Sequence, residues 1–504
     1  MIDAFQGPRR DDDVERGEYR MNPAGGHSVH ISSNPIDEGS STDARAVAVA
    51  VAVHSAAIDV QRNGGGSLGK GNNSLNVAQA GGGLSGRYAR YARELRRITL
   101  HFTPSWFSVN MGTDITSILL YQLPYQFKGL HVIAEIIFAL NLALFLVFTS
   151  ISAARYTVWP TMGPTMLFHE SQSLFLGTFA MGLATIVNMC ALAIGTSWGH
   201  NFALFTWAMW WLDSIISILI CLGLPFLQFT RHVQSLDKVT GVWLLPVVAP
   251  IVSAASGGIL ADSILQPSQA RLTIIVSYIL WGAGFGLAFI IMTLYYARLA
   301  IYKVPPATLI VSAFLPLGPC GQGAFGLLKL SESILHLSDR SNQALAGASL
   351  FSAQDAHIMS ISIYAVSTPI ALVLWGLGLA WLSLAISSLV DLWLVSELQF
   401  NLGWWGFTFP LGVFCTATTQ LGRLLDSGAF KILGTILSLV EVLLWLFIAS
   451  MTLIRVWHGT IFFAPCLAAI GGEPPAHVPP ARKYVFEPRQ RSRSRSASRN
   501  RSSG

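Results

Sequence analysis

Between residues 103 and 455 the chain alternates long apolar runs with short polar joints. Ten runs reach the roughly twenty residues needed to cross hydrocarbon. They lie near 103–122, 130–152, 172–194, 202–227, 242–261, 272–296, 306–328, 358–387, 404–422 and 432–455. Each is continuous rather than a ten-residue alternation, so helices are predicted in place of barrel strands.

Helix breakers fall unevenly among these runs. The odd-numbered runs carry them centrally: Gly112 in the first, Gly177 and Gly182 in the third, Pro246, Pro250, Gly257 and Gly258 in the fifth, and Gly406, Pro410 and Gly412 in the ninth. The seventh is the densest, with Pro316, Gly318, Pro319, Gly321 and Gly323 in an uncharged stretch. Irregular backbone at membrane depth survives only where it packs on protein or lines a wet cavity. The second run has no breaker and the tenth only Gly434, while Gly282, Gly284, Gly286 and Pro369 in the sixth and eighth break the trend. The pattern predicts an all-α integral membrane protein, ten transmembrane helices as five hairpins, with the odd helices inside around a central pore.

The flanks differ. Residues 1–98 are expected to form a disordered cytosolic tail and residues 458–504 a basic, Arg/Ser-rich cytosolic tail, leaving 99–457 as the ten-helix domain. The Arg/Ser tail is read as a phosphorylatable segment near anionic lipid, and no nucleic-acid partner is expected. The chain has 504 residues, 12% charged, with a formal net charge of +6, far below the charged share of soluble domains. Its five cysteines are scattered, with no disulfide framework, metal spacing or cofactor motif. Enzyme signatures such as HExxH, GxSxG or a Walker loop are missing. Arg87, Arg90, Arg93, Arg96 and Arg97 precede the first run, and Arg155, Arg231, Lys238, Arg298, Lys303 and Arg455 fall on the same side. The opposite loops are expected to carry Lys128, Arg271, Lys329, Arg340, Arg423 and Lys431. That bias puts both termini in the cytosol.

Five stretches carry a resemblance. They are His101–Thr113, Gln172–Thr185, Trp243–Pro250, Leu315–Gly323 and Trp404–Phe414. Together they resemble the tellurite-resistance/dicarboxylate transporter (voltage-dependent anion channel) family, and within it the fungal sulfite efflux pumps, over residues 100–457. The resemblance implies five helical hairpins, often assembled as a homotrimer, with a pore through each subunit, and plasma-membrane export of a small inorganic anion, sulfite or hydrogen sulfite. Malate or another dicarboxylate is the alternative substrate, although no fixed pore cation is evident. The expected pathway runs past Gly112, Thr113, Asp114, Gly177, Thr178, Gly182, Pro246, Pro250, Gly318, Pro319, Gly321 and Gln322. Backbone amides and hydroxyls such as Thr113, Thr178 and Ser312 would provide selectivity. A ninth-helix phenylalanine plugs the pore in relatives, and both Phe407 and Phe409 lie in the matching motif.

Two positions depart from the family pattern. Ala180 stands where proline is usual, and Asp114 follows Met111-Gly112-Thr113 where glycine is usual. An ionised Asp114 in a narrow pore would repel an anion. A protonated one could carry a proton, or the residue could mark a non-conducting paralogue. Glu135, Asp213 and Glu441 are expected to be buried acids paired with polar donors between helices.

Overall fold

The computed structural model describes residues 84–195, 198–341 and 352–468, and among them there is no strand. Ten helices form the body: α1 (Phe107–Tyr121), α2 (Leu130–Val158), α3 (Leu176–Met189), α4 (Gly199–Thr230), α5 (Leu245–Ser263), α6 (Pro267–Tyr302), α7 (Leu317–Ser341), α8 (Ala353–Val395), α9 (Trp405–Leu424) and α10 (Gly428–Trp457). Eight of them, with their flanking turns, are long and apolar enough to cross a membrane. The other two are α1, with 15 residues, and α9, whose second half carries Thr416, Thr418, Thr419 and Gln420.

The odd helices touch one another in a closed order, α1–α3–α5–α7–α9–α1, and each even helix packs against the odd helix before it and the next one round. The body is therefore five hairpins, with an inner ring and an outer layer. The apolar windows of α5 and α7 are 100% buried and that of α3 is 78% buried, whereas the outer helices bury only 28% to 33% of theirs. Apolar side chains on the outer faces, such as Ile136, Leu219, Ile279, Val373 and Leu443, are exposed as lipid requires.

A glycine sits at every seam of the ring. Gly182 meets Asn110 between α3 and α1, Gly177 meets the Leu245 carbonyl between α3 and α5, and Gly258 meets Leu330 between α5 and α7. Gly321 meets Phe414 between α7 and α9, and Gly112 and Gly412 meet Thr408 and Ile115 between α9 and α1. At Gly321 a Cβ would lie 2.6 Å from the Phe414 amide nitrogen. Backbone abuts backbone there, so no side chain could yield. Small residues that let helices approach are how packing replaces the missing hydrophobic drive in lipid.

Three boundaries differ from expectation. The N-terminal tail was expected to run to residue 98, but Leu84–His101 is a helix. The C-terminal tail was expected to begin at 458, but the next few residues fold back on the same end of the bundle. There Phe462 stacks on Trp106 at 5.1 Å, and the Ala464 amide donates to His101 Nδ1 at 3.3 Å. The remaining parts of both tails lie outside the described residues. The third difference is in the seventh run. A 3-10 turn, Ile310–Phe314, is followed by the break at Leu315-Pro316, and α7 then runs on to Ser341. Pro319 costs nothing there, because the first amides of a helix have no intrahelical acceptor. Lys329 and Arg340, expected in a loop, are consequently helical.

Candidate functional site

All five inner helices start the same way. A 3-10 turn precedes each: Pro104–Trp106, Ser173–Phe175, Gly241–Leu244, Ile310–Phe314 and Leu402–Trp404. Because every hairpin returns the chain, all five inner N-termini lie at the end that holds Leu84–His101 and the described residues after Trp457, here called the near end. Their C-termini lie at the far end. Each helix carries about half a positive charge at its N-terminus and half a negative one at its C-terminus. Five parallel dipoles make the near end of the ring favourable to anions and the far end unfavourable.

Contacts identify which arc of each inner helix turns inward. On α7, Gly326 and Ser333 face α5, Gly321 faces α9, and Cys320 and Gly323 face the outer helices α8 and α6. At about 100° per residue, the arc left between α5 and α9 holds Gly318, Gln322, Phe325, Lys329 and Glu332. On α9, Thr408 and Gly412 face α1, while Phe414 and Thr418 face Trp375 of α8. This leaves Phe409, Val413, Thr416 and Gln420 inward. The same spacing turns Met111 of α1, Met181 of α3 and Val252 of α5 inward, all buried. The interior is apolar through much of its depth and becomes polar and charged at the far end.

The expected pathway residues divide on this geometry. Gly318 and Gln322 lie on the inward arc, and the Gln322 amide is bonded by no protein group among the described residues. Pro319 belongs to the buried first turn of α7. Gly112, Gly177, Gly182 and Gly321 belong to the seams. Pro246 is in the first turn of α5, and Pro250 packs on Gly284 of the outer helix α6. Thr113 accepts from Trp445 Nε1 of α10 at 3.2 Å, and Thr178 donates to the Phe175 carbonyl at 2.7 Å and the Pro104 carbonyl at 3.1 Å. The Thr178 hydroxyl is thus committed to backbone carbonyls, and the Thr113 oxygen to an outer-helix indole. The Ser312 hydroxyl, beside Tyr295, closes no hydrogen bond among the described residues.

Asp114 lies where α1 meets α2 and α3. It is fully buried, flanked by Asn141 of α2 and Thr185 of α3, with neither closing a hydrogen bond on its oxygens. Asn110, one turn earlier, donates to Asn141 Oδ1 at 3.0 Å, which fixes this face of α1 toward α2. Two other acids sit in comparable seams between an outer and an inner helix. Glu441 of α10 accepts from Thr116 of α1 at 3.2 Å, and Asp213 of α4 lies beside Ser253 of α5. Glu135 does not share their burial; it is exposed near the start of α2.

The two phenylalanines also separate. Phe407 is engaged, edge-on to Phe314 at 4.8 Å and to Trp404 at 5.7 Å. Phe409, buried on the inward arc, makes no ring contact among the described residues.

Sequence reasoning missed the charged cluster at the far end. Lys329 of α7, 12% exposed, lies 2.6 Å from Glu332 and 3.5 Å from Asp262 of α5. Gln420 of α9 donates to the same Glu332 oxygen at 3.0 Å. His336 bonds the other Asp262 oxygen at 2.5 Å, and Arg340 donates to the Ala261 carbonyl at 3.0 Å. The available signal was the spacing of Lys329, Glu332, Ser333 and His336, which continues a helix with one polar face beyond the apolar run.

Comparison with known proteins matches this architecture to one family. The voltage-dependent anion channel model, SLAC1, matches residues 101–453. The sulfite efflux pump SSU1 of Arthroderma benhamiae is 45% identical over 355 residues, 70% of this chain and 91% of that protein. The pump of the same name from Trichophyton rubrum is 44% identical over the same shares. The malic acid transport protein of Schizosaccharomyces pombe is 24% identical over 382 residues, 75% of this chain and 83% of its own. With seven-tenths of its length aligned to such relatives and its core matching the family model throughout, this multi-pass membrane protein belongs to the SLAC1 voltage-dependent anion channel family of transporters.

Proposed function

We propose that the chain exports sulfite or hydrogen sulfite across the plasma membrane, through the interior of the ring formed by α1, α3, α5, α7 and α9. The observation that carries this reading is the closed, parallel ring, whose five N-termini gather positive potential at one end. A small anion is drawn to that end and meets an apolar interior where binding is weak, as conduction requires. The similarity to sulfite efflux pumps over nine-tenths of their length supports the choice of anion. Malate is the second reading, favoured by the malic acid transport relative. A longer dianion would need to be balanced at both ends within that apolar bore.

Phe409 acts as the plug in this reading and Phe407 as packing, because of the two ninth-helix candidates Phe409 lies on the inward arc and makes no ring contact among the described residues. Both termini are cytosolic, since Arg96, Arg97, Arg155, Arg231, Arg298 and Arg455 all lie toward the near end. The test is expression in a sulfite-sensitive host. Restored sulfite tolerance with unchanged malate uptake is the expected result. Changed malate uptake with unchanged sulfite sensitivity would overturn it. Protease protection of terminal tags in sealed vesicles tests the orientation.

A further inference from the structure

We propose that Lys329 of α7 and Gln420 of α9 form an oxyanion seat at the far mouth of the ring, and that the Glu332 carboxylate is its resident occupant. Two donors from different inner helices converge on one oxygen, Glu332 Oε2: Lys329 Nζ at 2.6 Å and Gln420 Nε2 at 3.0 Å. A carboxylate oxygen held by an ammonium and an amide is a chemical stand-in for one oxygen of a small free oxyanion. The seat lies on the inward arc, one turn beyond Phe325, and its components are largely shielded: Lys329 is 12% and Glu332 20% exposed.

The position matters electrostatically. Five helix C-termini converge at this mouth and oppose an anion leaving there. Lys329 offsets that field from inside the arc. Arg340 is instead turned to the Ala261 carbonyl and Arg423 to the Gln122 carbonyl. Asp262 holds Lys329 from the other side at 3.5 Å and is itself bonded by His336, so the ammonium is anchored when Glu332 leaves. An arriving sulfite displaces Glu332, takes its two donors, and is released when the carboxylate returns. Competition from a tethered anion keeps the seat weak, which suits a conduit rather than a store.

The inference rests on the transport reading, and one experiment separates the two. Purified protein in vesicles is assayed for initial sulfite flux against sulfite concentration, with Lys329→Gln, Glu332→Gln and, as a charge control at the same end, Lys431→Gln, whose ammonium pairs with the exposed Asp426. Lys329→Gln is expected to raise the half-saturating concentration at least threefold. Glu332→Gln is expected to lower it by a similar factor, because the seat loses its charged competitor. Lys431→Gln is expected to stay within twofold of the unaltered protein, and Lys329→Arg to recover most of the loss. A merely structural ion pair predicts that Lys329→Gln and Glu332→Gln shift the curve in the same direction, and that result overturns the seat. If Lys329→Gln proves unfolded by its melting curve, Glu332→Gln decides alone, and an unchanged or raised half-saturating concentration overturns the proposal. Unaltered vesicles that move no sulfite would overturn the transport reading itself, whatever the variants do.

Discussion

The inner and outer helices of this protein obey different rules. The five outer helices are 29 to 43 residues long and start at Gly129, Gly199, Ser352, Ser427 or a Gln266/Gln269 capping box. At 1.5 Å per residue they are about 45–65 Å long, more than a hydrocarbon core needs. The inner helices have only 14 to 25 residues. Each starts from a 3-10 turn and is pressed on its neighbours through glycine. The outer layer answers to lipid, which asks only for length and apolar surface. The inner ring answers to backbone contact, which asks for the absence of side chains at particular places.

The sharpest way to break this comparison is to add bulk on both sides of it. Gly321→Leu should abolish transport, because a Cβ there lies 2.6 Å from the Phe414 amide nitrogen, while Gly286→Leu on the outer face of α6, with nothing within 4 Å, should transport normally. Gly321→Ala is the graded version, expected to lower stability by about 1–3 kcal/mol. Equal flux from the two leucine variants, at equal surface expression, would mean that the ring is not the conduit. The next largest effect is expected at Phe409. Phe409→Ala should raise anion flux severalfold in vesicles, whereas Phe407→Ala, which strips a ring from Phe314 and Trp404, should lower the melting temperature without raising flux. The reverse pairing would exchange their roles.

Asp114 sharpens the boundary between seam and interior. Facing Asn141 and Thr185, it should leave flux per folded molecule unchanged at every pH when replaced by Asn or Gly. Flux that rises at neutral pH in Asp114→Gly would return this residue to the pathway. The smallest expected effects concern α6, where three glycines share one outer helix. Gly282 and Gly286 have open space around them, whereas a Cβ at Gly284 would lie 2.7 Å from the Val247 carbonyl oxygen of α5. Gly282→Ala should stabilise by up to about 1 kcal/mol through helix propensity, while Gly284→Ala should destabilise, both read from melting curves in detergent.

Those three glycines also explain why α6 looked irregular in sequence. One marks close approach to the inner ring and two are open to lipid, yet all three read alike as helix breakers. The alternation of breakers between odd and even runs was visible in Gly112, Gly177, Gly258 and Gly412, and it pointed to the hairpin architecture. The partner that each of them meets was not visible, because a glycine's neighbour is set by the other helix. The partners of the Thr113 and Thr178 hydroxyls are hidden for the same reason. Only the positions of Trp445 and Pro104 show that those hydroxyls are already engaged. Lys329 was read as a loop residue because hydropathy falls at residue 329, although helical hydrogen bonding continues to Ser341.

The sequence by itself determined that this chain is a helical membrane protein, where its long apolar helices run, and which family it resembles. Apolar length and backbone-breaking residues act locally and are dictated by the demand that every peptide group in lipid be bonded. Only the tertiary structure decided that the odd helices close on one another, that all five present the same end to the same side, and that Asp114 turns into a seam while Lys329 turns inward. Direction around a helix has meaning only relative to neighbours distant in the chain. Here those neighbours are brought together by glycine contacts between helices whose interacting residues are far apart in sequence, as in Gly112 with Thr408.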